Sequence, residues 1–203
     1  ARVTEALVEP LYPDEKIDFI VRLFEAKDIP YAIGGAIALF YWGEPRSTAD
    51  IDINVFLVTS QASRVVSAFA AAGVQIDSVR VLRDVAAAAQ ARFEFDGTAV
   101  DLFFADLPFH ESCRARAVRV PFGNVQMNVL SAEDLVVCKV MFDRAKDWLD
   151  VEAVLHTRGP AFDTPYVHGW LVEMLGADND RVRRFEKVAA EAASWPDEPD
   201  RPK

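Results

Sequence analysis

The chain holds 203 residues, 51% hydrophobic and 27% charged, with a formal net charge of −10. That gives room for one full domain, or one plus a small appended one, of the soluble globular class. No apolar run reaches the ~20 residues needed to cross a bilayer. Ala1-Arg2-Val3-Thr4-Glu5 lacks the basic segment and apolar stretch of a secretory signal. Cys113 and Cys138 are too few for a disulfide framework, so a cytoplasmic protein with no membrane partner is expected. The acidic balance weighs against a general nucleic-acid coat, whose affinity comes from neutralising phosphates. The arginine clusters at Arg114, Arg116 and Arg119 and at Arg181, Arg183 and Arg184 read as solvated faces.

From Asp14 to Lys27, Ile17, Phe19, Ile20, Leu23 and Phe24 recur at helical intervals behind an aspartate cap, which predicts a helix ended by Pro30. Tyr31 to Ile33 then reads as a short strand, Gly34-Gly35 as a turn, and Ala36 to Tyr41 as a second helix. Gly43 to Thr48 is a loop leading to the strand that carries Asp50 and Asp52. Thr59-Ser60 caps a helix that runs to Ala72 and stops at Gly73. Phe93 to Phe95 and Ala99 to Phe104 flank Asp96-Gly97, a hairpin signal. Arg119 to Phe122 and Val125 to Val129 form another around Gly123-Asn124. From Ser131, a good N-cap, the pattern is helical with breaks to about Ser194. The tail from Trp195 is proline-rich and charged, the composition of a disordered segment. The expected fold class is α+β: a twisted mixed β-sheet with flanking helices, then a C-terminal helical bundle. The expected divisions are 1–129, 130–195 and a tail 196–203.

The chemistry concentrates in three aspartates. Side chains alternate along a strand, so Asp50, Asp52 and Asn54 share one face while Ile51, Ile53 and Val55 share the other. Asp101 lies in a second apolar strand, Ala99-Val100-Asp101-Leu102-Phe103-Phe104. Ionised carboxylates on one partly buried face repel, and burial adds a desolvation cost that a divalent cation removes. Carboxylates without thiolate or imidazole partners select hard ions, so Mg²⁺ or Mn²⁺ is the expected cofactor. Two such ions ~4 Å apart clamp the attacking and leaving oxygens of a phosphoryl displacement. Asp50 and Asp52 would bridge them, and Asp101 would complete the second site. Gly34-Gly35 at a strand-to-helix turn admits backbone amides close to an anion, and a triphosphate fits there. No Walker lysine loop and no nucleophile-elbow motif is present.

Gly34-Gly35, then Arg46-x-Thr48-x-Asp50-x-Asp52, then the lone strand aspartate Asp101 resembles the polymerase-beta-like nucleotidyltransferase superfamily. Ser131-Ala132-Glu133-Asp134-Leu135, Lys139, Arg144, Lys146-Asp147 and Asp150 are similar to the AbiEii-type nucleotidyltransferases, which include toxins of toxin–antitoxin pairs. The resemblance covers Tyr31 to Leu155. It implies transfer of a nucleoside monophosphate from an NTP to an acceptor hydroxyl, with Asp50, Asp52 and Asp101 on metal and Gly34, Gly35 and Lys139 on phosphates. Arg46 or Thr48 would orient the triphosphate or brace the strand, and Asp147 would be a further active-site carboxylate. A tRNA 3′ end is the implied acceptor and an antitoxin the implied partner if the chain is a toxin; a small-molecule or protein acceptor, or a non-catalytic binding role, are the alternatives.

Structural readings stand beside these. Asp50 caps a turn and Asp52 pairs with Arg46; Asp101 faces solvent; Lys139 snorkels to water; Arg144, Lys146, Asp147 and Asp150 form an exposed ion-pair network.

Overall fold

The computed structural model describes residues 11–194. The N-terminal segment read for secretion and the tail from Trp195 lie outside the described residues. In chain order the elements are α1 (Pro13–Ala26), β1 (Tyr31–Ile33), α2 (Gly35–Trp42), β2 (Asp50–Val55), α3 (Ala62–Ala71), α4 (Ser78–Ala88), β3 (Gln90–Phe95), β4 (Thr98–Phe104) and α5 (Pro108–Arg116). There follow β5 (Val118–Phe122), β6 (Val125–Val129), α6 (Ala132–Phe142), α7 (Ala145–Arg158), α8 (Thr164–Leu175) and α9 (Asp180–Ala192). Both predicted hairpins, the two helices before the acidic strand and the helical second half are present. Two helices, α4 and α5, were not predicted.

The six strands make one mixed sheet in the order β3-β4-β2-β1-β6-β5, with β2–β4 and β1–β6 parallel and β3–β4 antiparallel. The expected α+β class, a mixed sheet with flanking helices followed by a helical segment, is therefore the observed one. Among the described residues the chain forms two compact units: 11–31, Ala49–Asp106 and Arg119–Met127 in the first; Ala32–Thr48, Leu107–Val118 and 128–194 in the second.

The first unit is built on aromatic packing behind the sheet. Helix α1 buries Ile17, Ile20, Val21 and Phe24 along one stripe. Phe24 meets Phe69 of α3 edge-on at 5.6 Å, and Phe69 meets Phe93 of β3 at 4.9 Å. Asp96 and Gly97 join β3 to β4 with φ of +49° and +76°. Two consecutive left-handed residues are the geometry of the tight hairpin turn whose twist matches the strands, which is why Asp-Gly stands there. Lys16 of α1 is buried, its ammonium donating to the Asp96 carbonyl at 2.6 Å and to Thr98 Oγ1 at 2.8 Å.

The second unit is a helical packing around Trp148, Val167, Leu171 and Phe185, all fully buried. Ser131 caps α6 as its sequence predicts, its hydroxyl accepting from the Asp134 amide at 3.1 Å.

Candidate active site

The acidic face lies in the first unit, and strand register builds it. In the parallel pair, Asp52 of β2 stands opposite Asp101 of β4, and Asp50 opposite Ala99. In the antiparallel hairpin, Arg92 of β3 stands opposite Asp101, and Glu94 opposite Ala99. Cross-strand partners share a face, so Asp52, Asp101 and Arg92 form one row and Asp50, Ala99 and Glu94 the next. The opposite face carries the rows Ile51, Val100, Phe93 and Ile53, Leu102, Ala91, every member buried. That hydrophobic backing fixes the register, because a slip of one residue would turn the acids into the core.

The structure thus places the three predicted aspartates on one face of adjacent strands. Like charges on neighbouring strands repel by on the order of 1–3 kcal/mol per pair at ~5 Å in a surface-like dielectric. In this structure a guanidinium meets that repulsion. Arg92 Nε and Nη2 grip both oxygens of Asp101 at 2.7 and 2.6 Å, and Nη2 also reaches Asp50 at 3.2 Å. The planar fork matches a carboxylate bidentately. Its acidic partners push the Arg92 pKa still higher, first through the Asp101 hydrogen bonds. The Arg92 side chain is 59% exposed and that of Asp101 is 17% exposed, so the clamp faces water from above. No three Asp, Glu, His or Cys side chains among the described residues are gathered to grip an ion as they stand. In donor chemistry the face fits a hard divalent cation: three carboxylates, no soft ligand, and a positive group already drawn to the spot.

The second unit carries the other predicted residues. Gly35 opens α2 with φ +55°, a conformation that favours glycine, and the buried Gly34 caps the helix with its carbonyl accepting from the Ala38 amide at 3.0 Å. The first amides of α2 follow this turn, the feature that suits an anion. Thr48 lies in the exposed segment before β2.

Arg46 forks onto Asp150, donating to both oxygens at 2.9 Å. Lys139 does not snorkel: it is 4% exposed, with its ammonium 2.6 Å from Asp150 and 3.4 Å from Asp147. Asp147 is fully buried and also accepts from Arg144 Nε at 2.6 Å. The ion-pair reading of Arg144, Asp147 and Asp150 holds, with both carboxylates buried rather than exposed. Burial pushes the Asp150 carboxyl up, yet hydrogen bonds from Arg46 and Lys139 outweigh it and hold the group below the usual aspartate range.

A further buried cluster joins Ser131 and Asp134 of the quoted motif to Tyr166, which the sequence reading did not single out. Asp134, fully buried on α6, accepts from the Tyr166 hydroxyl and from Ser131 Oγ at 2.7 Å, with Arg116 Nε 3.8 Å away. Desolvation raises its pKa, and burial together with Asp134 raises that of Tyr166. Nearby, burial pushes the Cys113 thiol far up, leaving it an inert apolar group.

A sequence model of nucleotidyltransferases of unknown function (DUF6036) matches residues 18–168. The chain belongs to that family. All three strand acids and the buried α6–α7 ion network of this nucleotidyltransferase fall inside the matched span. No curated protein matches the sequence. Among solved structures, the antibiotic-resistance factor ANT(2'')-Ia is similar at a TM-score of 0.53 and 14% identity, over 88% of this chain and 94% of that one. The lincosamide antibiotic adenylyltransferase LnuA follows at 0.48 and 13%, over 69% and 94%. An antigenic nucleotidyltransferase-like protein from Paracoccidioides brasiliensis stands at 0.46 and 12%, over 84% and 91%. At such identity ANT(2'')-Ia speaks for the fold alone. No helix among the described residues is long and apolar enough to cross a membrane.

Arg92 is the site residue that sequence reasoning missed. The signal was present: a two-residue Asp96-Gly97 turn pairs Phe95 with Thr98 and, three steps along, Arg92 with Asp101.

Proposed function

We propose that this family member transfers a nucleoside monophosphate from an NTP to an acceptor hydroxyl, with Asp50, Asp52 and Asp101 as the carboxylates that hold Mg²⁺ or Mn²⁺. One observation carries the reading: three acids share a face of two register-locked parallel strands, and the Arg92 guanidinium bridges two of them. In the reaction the acceptor oxygen forms a bond to the α-phosphorus, the bond to the β-phosphate oxygen breaks, and pyrophosphate leaves. A bound divalent metal supplies the Lewis acid that spreads triphosphate charge and eases ionisation of the hydroxyl. Asp101, on the strand beside Asp52, takes or relays the hydroxyl proton. Gly34 and Gly35 offer backbone amides to the phosphates, and Arg46 and Thr48 position the triphosphate or brace the chain entering β2. Lys139 is the phosphate-binding lysine and Asp147 the further carboxylate in this reading. For Lys139 to engage a phosphate, its ammonium must leave Asp150, 2.6 Å away.

The AbiEii-type resemblance favours a tRNA 3′ end as acceptor and an antitoxin as partner. The formal charge of −10 favours instead a small hydroxylated acceptor, since a polyanionic RNA would be repelled. Incubation with each labelled NTP, Mg²⁺, and either total tRNA or hydroxylated antibiotics tests both. Label transfer to one acceptor, lost in Asp52→Asn, is the expected result. Transfer that persists undiminished in Asp52→Asn overturns the metal assignment.

A further inference from the structure

We propose that Arg92 is a resident counter-ion of the acidic face, one that a divalent metal must displace before the face can work. The inference rests on the metal reading above and deepens it.

Three observations on the first unit carry it. The first is position: register places Arg92 in the same row as Asp52 and Asp101, on the strand at the outer end of the sheet order. The second is contact: its guanidinium takes both Asp101 oxygens and one of Asp50, the lone pairs a hard cation would need. The fork takes up lone pairs of Asp101 that a metal ion would use, and the two positive groups repel at such range, so each weakens the other's hold on the carboxylate. The third is exposure. Arg92 is 59% exposed and Asp50 40%, so the long side chain can swing to water without unpacking a core. A pair this solvated contributes little net energy, which makes it exchangeable.

The arrangement does two things at once. Without metal, Arg92 offsets one of the three negative charges and holds the side chains of Asp101 and Asp50, so the mutual repulsion of the face is reduced. With metal and nucleotide, the released guanidinium sits at the rim of the face, free to meet the negative charge the nucleotide brings. The metal affinity of the resting protein is lowered by the competition, and a ligand arriving with its own negative charge restores it.

The test is a Mn²⁺ titration followed by the electron paramagnetic resonance signal of free Mn²⁺, on the full chain at low salt. It compares wild type, Arg92→Gln, Arg92→Lys and Asp101→Asn, with circular dichroism confirming the fold of each. Arg92→Gln should bind Mn²⁺ up to about fivefold more tightly than wild type, the scale of one solvated ion pair removed from competition. Arg92→Lys, with a point charge and no fork, should lie between them. As a second readout, the Arg92 Nε–H resonance should be protected from solvent exchange in the metal-free protein and lose that protection at saturating Mg²⁺. Equal or weaker Mn²⁺ binding by Arg92→Gln, or protection unchanged by Mg²⁺, overturns the counter-ion role while leaving the metal reading intact. Absence of Mn²⁺ binding in every protein, or undiminished binding in Asp101→Asn, overturns the metal reading and this inference with it.

Discussion

The protein solves one electrostatic problem twice, in opposite surroundings. In the first unit, Asp50 and Asp101 meet Arg92 at a solvated face; in the second, Asp147 and Asp150 meet Lys139, Arg46 and Arg144 with both acids and the lysine buried. The partners are chemically alike, so exposure decides what each cluster does. A solvated pair gains little and dissociates readily, whereas a buried one becomes costly to break because any orphaned charge has nowhere to go. The first cluster suits exchange of partners. The second suits fixed geometry, here the junction of α6 with α7.

The largest effect should follow from breaking the chemistry of the open face. Asp52→Asn should lower nucleotidyl transfer by ~10³-fold, several kcal/mol of lost charge stabilisation, with the thermal midpoint little changed. Initial rates of pyrophosphate release with the identified acceptor measure it. Next comes the buried cluster. Asp150→Ala leaves Arg46 and Lys139 without their nearest carboxylate and should cost ~3–5 kcal/mol of stability, read as a fall of roughly 6–20 °C in Tm by calorimetry.

Acid titration sharpens the same contrast. The Asp150 carboxyl titrates lower in the folded protein than in the unfolded chain. Its stabilisation is therefore present above the unfolded value and is lost as pH falls through the folded one. Urea midpoints followed downward from pH 5 should show wild type converging on Asp150→Ala. Asp134 has the opposite sign: its pKa is raised by desolvation, so its contribution is present at low pH and lost as pH rises through the folded value. Tyr166→Phe, which removes a hydrogen bond to that carboxylate, should cost ~1–2 kcal/mol in urea denaturation. Arg92→Gln should cost less than ~1 kcal/mol, the smallest effect, because its partners are partly in water.

Much of this was legible in the sequence, for definite reasons. The alternation around Asp50 and Asp52, the Asp-Gly turn and the Ser131 cap are local signals whose physics does not depend on distant parts of the chain. Helices α4 and α5 escaped because each buries so little: Val81 and Val85 in one, Phe109 and Cys113 in the other. Two apolar residues a turn apart make no periodic pattern. The burial of Lys139, Asp147 and Asp150 escaped because charges read as surface until their partners are known. Arg46 and Asp150 are 104 positions apart in the chain. The role of Arg92 sits between these cases, since it follows from counting register across one turn.

The buried lysine of α1 has a bearing on the far end of the hairpin. Lys16 pins the carbonyl of Asp96 and the hydroxyl of Thr98, the two residues bracketing Gly97. The loop that sets the pairing of β3 with β4 is thereby anchored to a helix outside the sheet. An amino-terminal lesion that frees this anchor would let the ribbon shift or fray, and Arg92 would lose its alignment with Asp101 although neither residue had been touched. Mutational sensitivity in α1 is then a sensitivity of the Arg92–Asp101 contact at a distance.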